Sequence, residues 1–161
     1  MEYDRYETPD HTIFSLLNNF EIQGNVLECA CGNKNISTKI QNCITLDIDH
    51  NVYPDIVQDF LTFEEKTFDI IITNPPYSIA IEFITHALDI VKENGFVIML
   101  LRINFLESQK RQDFFIQNPL HSLFVLSKRP CFINGRSDST GYAWFIWQKG
   151  KKDTNVNVKF V

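Results

Sequence analysis

The chain has 161 residues, of which 44% are hydrophobic, and its net charge is −5. This length suits one globular domain with a substantial core, and residues 1–161 are predicted to form it without a separate target-recognition domain. The negative charge excludes binding of nucleic acid through bulk positive charge, and the absence of a long apolar run or a basic amino terminus predicts no membrane span and no signal peptide.

The charge is nevertheless unevenly distributed along the chain. Residues 1–100 carry 5 Lys and Arg against 16 Asp and Glu, whereas residues 101–161 carry 10 against 4. Two interpretations stay open for the second part: an ordinary solvated surface, or one basic face that binds phosphate. The residues concerned are Lys110, Arg111, Lys128, Arg129, Arg136, Lys149, Lys151 and Lys152.

The four cysteines, Cys29, Cys31, Cys43 and Cys131, contain no Cys-x-x-Cys pair. Zinc sites usually include such a pair, so no metal site is predicted. Unpaired thiols are typical of a reducing compartment, which favours a cytoplasmic protein.

Hydrophobic periodicity predicts strands alternating with helices. Apolar residues at helical spacing follow Asp10, which is predicted to cap the first helix. Strands are predicted at 25–29, 43–46, 56–57, 68–73, 96–101, 121–126 and 142–147, and further helices at 36–40, 78–92 and 105–117. This order indicates a three-layer α/β fold with a mostly parallel sheet and an antiparallel hairpin at one edge. Trp144 and Trp147 are predicted to be core residues of the last strand.

The tetrapeptide Asn74-Pro75-Pro76-Tyr77 directly follows the apolar run 68–73. The two prolines end the strand, because neither ring nitrogen can donate to a sheet ladder. The bend therefore lies at the carboxyl end of a strand, where open α/β sheets bind ligands. It offers mostly acceptors, namely the Asn74 side-chain oxygen and backbone carbonyls, beside the flat ring of Tyr77. Such a loop suits a planar group that carries an NH2 donor.

Asn-Pro-Pro-Tyr behind a buried strand resembles the catalytic motif of S-adenosylmethionine-dependent amino-group methyltransferases, and the chain is similar to the short, phage-type adenine-N6 DNA enzymes among them. The resemblance covers nearly the whole chain. It implies the seven-stranded, Rossmann-like class I methyltransferase fold, S-adenosylmethionine as cofactor, adenine N6 in DNA as target, and a bacterial or phage-infected cell as setting. Asn74, Pro75, Pro76 and Tyr77 are then the catalytic residues, with Asn74 also near the cofactor.

The same resemblance assigns a cofactor site. The run 26–32 matches the first family motif, with Glu28, Cys29, Ala30 and Gly32 near the cofactor; a second glycine expected two places on is replaced by Lys34, between Asn33 and Asn35. Later acidic residues follow successive strands, as carboxylates that accept from ribose hydroxyls and from the cofactor adenine would. They are Asp47, with its neighbour Ile48 also assigned to the cofactor site, Asp49 as the competitor of Asp47, and Asp59. The Phe60 ring is expected to stack on or flank the cofactor adenine.

Tyr6, Thr8 and Pro9 resemble the segment that some adenine methyltransferases fold over the methionine end of the cofactor. A simple helix start with proline in its first turn explains Thr8-Pro9 equally well. Arg102 directly follows a predicted strand, and Arg136 lies in a polar loop. Together with Tyr77, both are predicted to bind the substrate.

Several alternatives share these features. RNA-base methylation and methylation of glutamine amides in proteins use the same kind of acceptor loop, and a cofactor-binding subunit without catalysis is compatible with Lys34 in place of glycine. A chain this short is expected to read its target through loops, a homodimer or a recognition partner.

Overall fold

A central sheet positions the elements of the chain in the computed structural model, which describes residues 7–132 and 139–161. Its eight described strands are β1 Val26–Glu28, β2 Cys43–Asp47, β3 Ile56–Val57, β4 Ile70–Thr73, β5 Phe96–Arg102, β6 Ser122–Val125, β7 Tyr142–Gln148 and β8 Asn157–Phe160. The α-helices are α1 Asp10–Leu17, α2 Ala80–Ile90 and α3 Gln112–Gln117. Short 3-10 turns lie at Ser37–Lys39, His50–Val52, Phe60–Thr62, Tyr77–Ile79, Ile103–Leu106 and Gln109–Arg111.

The strand order is β3-β2-β1-β4-β5-β7-β6-β8, and β7 runs antiparallel to both of its neighbours. In the parallel part, Glu28 of β1 is in register with Thr45 of β2 and with Ile72 of β4. Parallel strands in register end at one edge, so the segments after β1, β2 and β4 meet there. This is the edge at which open α/β sheets bind ligands.

Two apolar layers cover the sheet. One contains Ile13 and Leu16 of α1, and the other contains Ile84 and Ala87 of α2. Trp144 and Trp147 of β7 are both buried, as predicted, and they point to opposite layers. The three-layer α/β prediction is therefore confirmed.

The first helix starts differently from the prediction. Pro9 occupies the cap position with an extended backbone, and its carbonyl accepts from Thr12 and Ile13. Asp10 is the first helical residue and not the cap, and its carboxylate pairs with Lys39 at 2.7 Å. The proline already has the extended conformation that a cap residue needs, so the helix begins one residue earlier than the side-chain pattern suggested.

The predicted helices are longer than the observed ones. The segment at 36–40 forms only a 3-10 turn, and the 78–92 segment begins with a 3-10 turn before α2. The 105–117 segment is interrupted at Ser108, which is extended and accepts from the Lys110 N–H at 3.2 Å. A serine that caps a new turn competes with continuation of the old one.

The eighth strand was not predicted. β8 pairs in parallel with β6 and forms the outer edge, so the antiparallel pair of β6 and β7 lies one strand inside the edge. Val158 and Phe160 are 49% and 78% exposed. An exposed four-residue strand after a polar segment carries little of the burial pattern on which strand prediction depends.

The hydrogen bond from Trp144 Nε1 to the Thr12 carbonyl, 2.9 Å long and buried, attaches α1 to the sheet. Replacing Trp144 by Phe is expected to lower the free energy of unfolding by about 2 kcal/mol, because it removes this bond and leaves a cavity. Urea denaturation measures the change. Ile116→Ala, at a position 67% exposed, serves as the control and should change stability by less than about 0.5 kcal/mol. Equal effects of the two substitutions would contradict this account of α1.

Candidate functional site

The segments after β1 and β2 are joined by Asp47. Its Oδ2 accepts from the Gly32 N–H at 2.8 Å and its Oδ1 accepts from the Asp49 N–H at 2.9 Å. Gly32 is left-handed with φ of +47°, and a Cβ placed on it would meet no atom within 4 Å. The glycine therefore faces open space beside a carboxylate, as close approach of a ligand requires.

The turn after Gly32 forms without a second glycine. Lys34 itself has φ of +63°, and its N–H donates to the Cys31 carbonyl at 2.7 Å. The neighbouring Asn33 and Asn35 do not supply the left-handed residue, since neither has a positive φ. Their side chains hold the amino-terminal segment: Asn33 Nδ2 donates to Glu7 Oε1, and Asn35 Nδ2 donates to the Thr8 carbonyl at 3.3 Å.

Glu28 lies beneath this turn. Its side chain is buried, and Oε2 accepts from the Ser37 N–H at 2.9 Å. Burial raises the pKa of the carboxyl to about 7, and the hydrogen bonds from Ser37 only partly offset this. Glu28 thus fixes the turn from below.

The other residues of the first motif divide between core and loop. Cys29 is buried in the core, where desolvation raises the pKa of its thiol well above the usual value. Burial likewise raises the pKa of Cys31 and of Cys43 to about 12. The Ala30 carbonyl accepts from the Thr73 hydroxyl at 3.2 Å, which connects the ends of β1 and β4. These thiols are un-ionised at neutral pH and are unsuited to act as nucleophiles.

The acidic residues after β2 and β3 have different local roles. Asp49 Oδ1 accepts from Asn51, and Asp59 Oδ1 accepts from the Leu61 N–H at 3.0 Å, so both carboxylates cap 3-10 turns. Asp47 differs in that its carboxylate accepts from the Gly32 N–H of the neighbouring loop. Ile48, next to it, is 51% exposed.

Phe60 does not lie in the cleft. Its ring is 2% exposed and packs against Phe83 and His86, with ring centroids 5.1 and 5.0 Å away. The prediction that this ring stacks on or flanks a cofactor is therefore wrong. An aromatic directly after a polar capping residue turned inward, into the core beside α2.

Asn74 directly follows β4 and is fixed through both ends of its amide. Nδ2 donates to the Thr8 hydroxyl at 3.3 Å, and Oδ1 accepts from the Tyr77 hydroxyl at 3.0 Å. Pro75 is buried and Pro76 exposed. The amide thus holds its oxygen on the side of the Tyr77 ring.

Tyr77 is packed in a small cluster with two residues that are paired across β5 and β7. The Arg102 guanidinium lies 5.4 Å from the Tyr77 ring centroid, and Arg102 Nε donates to the Tyr142 hydroxyl at 3.1 Å. The Tyr142 ring lies 6.1 Å from that of Tyr77 and 5.1 Å from that of Phe132. Arg102 was expected near this edge. Tyr142 and Phe132 were not, because nothing in a buried strand residue or a loop aromatic marks it as part of a site.

Thr8 is buried and touches both halves of the edge, through its hydroxyl to Asn74 and through its carbonyl to Asn35. Pro9 caps α1, as a simple helix start requires, and the position of Thr8-Pro9 over the methionine end of a cofactor stays a prediction. Tyr6 and Arg136, predicted to bind cofactor and substrate, lie outside the described residues.

The basic residues do not form one face. Lys128 and Arg129 follow β6 at the edge that carries Asn74, whereas Lys149, Lys151 and Lys152 follow β7 at the opposite edge. Lys149 Nζ donates to the carbonyls of Asp89 and Val91 near the end of α2. Of the two interpretations left open, one basic face that binds phosphate is therefore not supported by the described members of the set.

Within residues 7–132 and 139–161, no group of three or more His, Cys, Asp or Glu side chains is arranged to hold a metal ion. No helix in this part of the chain has the length and apolar character needed to cross a membrane.

The sequence matches no protein-family model and no curated protein, but the fold is similar to that of solved class I methyltransferases. A Pyrococcus horikoshii protein assigned as an RNA methyltransferase superposes with a TM-score of 0.67 at 13% identity, over 91% of this chain and 87% of that one. The M protein of the type I restriction enzyme EcoKI gives 0.65 at 14% identity, over 91% of this chain and 44% of the M protein. A dimethyladenosine transferase from Plasmodium falciparum gives 0.65 at 14% identity, over 88% and 61%.

These similarities show the class I methyltransferase fold, with one strand more than the seven predicted. At such identities they show the fold alone. This chain spans less than half of the EcoKI M protein and about three-fifths of the transferase.

Glu28 generates a prediction about pH. The pKa of its carboxyl rises from 4.5 to about 7 in the folded state, so the folded protein binds the proton more tightly. The contribution of this group to the free energy of unfolding is therefore largest below pH 4.5. It falls as pH rises through 7, by at most about 3 kcal/mol in total. We expect Glu28→Gln to remove this decline, because Gln accepts from Ser37 at every pH.

Urea denaturation of both proteins between pH 4.5 and 8 measures the difference. The lowered pKa of His121, caused mainly by burial, acts in the opposite direction and is common to both proteins. Parallel curves for the wild type and the variant would contradict the assignment to Glu28.

Proposed function

We propose that this chain transfers a methyl group from S-adenosylmethionine to the exocyclic N6 amine of adenine in DNA. The observation that carries the proposal is the Asn74 amide, held by Thr8 and Tyr77 at the edge that also presents Asp47 and Gly32. An acceptor loop for an aromatic amine and a carboxylate for a diol thus adjoin one another. The class I methyltransferase fold supports the same assignment.

The residues fit S-adenosylmethionine as the cofactor. The open side of Gly32 allows close approach, the Asp47 carboxylate suits two ribose hydroxyls, and the exposed Ile48 side chain suits the face of an adenine ring. Asp59 is exposed and available at the end of β3 to accept from the adenine amine. Thr8 and Pro9 would border the methionine end, and Glu28, Cys29 and Ala30 would support the loop through their backbone and buried contacts.

The chain's own contribution is positioning and electrostatics. An aromatic amine is a poor nucleophile because its lone pair is delocalised into the ring. Acceptance of its two N–H bonds by Asn74 Oδ1 and the Pro75 carbonyl favours a pyramidal nitrogen. When bound, S-adenosylmethionine would supply the methyl group as an electrophile and keep the C–S electron pair on its sulfur, and the methylated amine would lose one proton to water.

The Tyr77 ring is proposed to stack on the target base. Because an adenine inside a duplex cannot reach this edge, the base is flipped out or already single-stranded. The Arg102 guanidinium lies over the same ring and is suited to a phosphate or base contact. Lys128 and Arg129 at this edge add positive charge where the nucleic acid would lie.

RNA is the closest alternative substrate, because the acceptor loop is proposed to bind the amine on a flat ring and not the sugar. Glutamine amides of a protein and a cofactor-binding role without catalysis are further outcomes. A homodimer or a recognition partner is proposed to read the target sequence.

The test is transfer of radiolabelled methyl from S-adenosylmethionine into matched DNA, RNA and protein pools, followed by nucleoside and amino-acid analysis. Label recovered as N6-methyl-2′-deoxyadenosine supports the proposal. Label in RNA or in protein glutamine would replace the DNA assignment, and no label from a preparation that binds the cofactor would indicate a missing partner or a non-catalytic subunit.

Asn74→Ala is expected to lower turnover at least 100-fold while the cofactor Kd changes less than about threefold, because the amide binds the reacting amine. Calorimetry and single-turnover rates separate the two effects. Asn19→Ala, at an asparagine that bonds the Ser15 carbonyl on α1, is the matched control. Equal losses of turnover and affinity would contradict the role given to Asn74.

Tyr77 is predicted to act through its ring. Tyr77→Phe removes the hydroxyl bond to Asn74 but keeps the stacking surface, so KM for an adenine-containing oligonucleotide should stay within about threefold. Tyr77→Ala should raise KM roughly 5- to 150-fold, as expected for the loss of about 1–3 kcal/mol of stacking. A large effect of Tyr77→Phe would instead assign the main role to the hydroxyl.

A further inference from the structure

Four non-glycine residues in the described part of the chain have positive φ, and two of them are asparagines. The other two are Lys34, at +63°, and Tyr53, at +52°. Neither residue type favours the left-handed region, where the Cβ crowds the backbone. Such conformations persist when surrounding contacts impose them, and they cluster at functional sites.

The two left-handed residues contact each other. Lys34 Nζ donates to the Tyr53 carbonyl across 19 residues of sequence. The Lys34 backbone is fixed on both sides, since its carbonyl accepts from the Thr38 N–H at 3.1 Å and its own N–H is bound to Cys31. The Tyr53 N–H donates to the His50 carbonyl at 3.1 Å, which ends the 3-10 turn that Asp49 caps.

The loops that this contact joins are the ones that Asp47 also joins. Gly32 belongs to the loop of Lys34, and Asp47 begins the segment that leads to Tyr53. The loops are therefore linked twice, once by the Asp47 carboxylate and once by the Lys34 ammonium. A ligand whose diol binds Asp47 would lie between loops that the second link holds together.

Packing does not explain the second link. The Tyr53 side chain is 82% exposed, so it contributes almost nothing to the core. The donor is a charged ammonium, and the acceptor is a carbonyl of a surface loop to which water could donate equally well. What the bond does provide is a fixed distance between the two loops.

We infer that Lys34 is a positioning residue for the cofactor: its ammonium ties the loop after β1 to the segment after β2 and keeps the two apposed around the ligand of Asp47. This inference rests on the proposed function. The lysine replaces a glycine expected in the family motif. It lacks the conformational freedom of a glycine backbone, but its side chain can bind the Tyr53 carbonyl, which a glycine cannot do.

Lys34→Met tests the tie, because it keeps the length of the side chain and removes the donor. Calorimetry with S-adenosylmethionine and with S-adenosylhomocysteine is expected to show about 5- to 10-fold weaker binding of both. A Coulomb effect alone predicts something else. S-adenosylmethionine carries one net positive charge and S-adenosylhomocysteine none, so loss of the lysine charge would tighten binding of the former and leave the latter unchanged.

Two further variants separate side chain from backbone. Lys34→Arg keeps a cationic donor and should bind both ligands within about twofold of the wild type. Lys34→Gly relieves the left-handed strain and should melt at the same or a higher temperature, yet bind as weakly as Lys34→Met. Hydrogen exchange should show that ligand-induced protection of the amides at 49–53 is lost in the Met and Gly variants and retained in the Arg variant.

A Lys34→Met variant that binds both ligands like the wild type, or that binds only S-adenosylmethionine more tightly, would contradict the positioning role inferred for Lys34. The proposed function would remain intact. A folded wild-type protein that binds neither ligand would overturn the proposed function itself, and the inference with it.

Discussion

The arrangement of the candidate site depends on Thr8. Its hydroxyl accepts from the Asn74 amide and its carbonyl accepts from Asn35, so one buried residue before α1 touches both the acceptor loop and the loop after β1. Parallel register alone brings these loops to one edge, but it does not fix the rotation of an amide. Thr8 and Tyr77 together select the amide orientation in which the oxygen faces the aromatic ring.

Burial divides the candidate site into supporting residues inside the protein and polar residues that remain partly exposed. Glu28 and Cys29 are buried below the loop, and the resulting desolvation raises the pKa of each side chain. Asp47 and Asn74 remain partly exposed and present oxygen atoms at the edge. This separation suits a reaction in which the protein orients two ligands and forms no covalent bond to either.

Residues whose local chemistry dictates their conformation were predictable from the sequence. The two prolines after a buried β-branched run place Asn74 at a strand end, and the apolar pattern of β7 places Trp144 in the core. Contacts that depend on distant partners were not predictable: Tyr142 beside Tyr77, and Asn35 on Thr8. The position of the Phe60 ring was predicted wrongly, because the local sequence of an aromatic residue after a cap residue does not distinguish a ring that faces a ligand from one in the core.

The measurement that tests the central claim most directly is a crystal structure of the protein with S-adenosylhomocysteine. The account predicts the ribose hydroxyls on the Asp47 carboxylate, the adenosine between the loops that carry Gly32 and Tyr53, and the amino-acid end near Thr8 and Asn74. A ligand bound elsewhere, or bound with Asp47 making no contact to it, would contradict the assignment of this sheet edge as the methyl-transfer site.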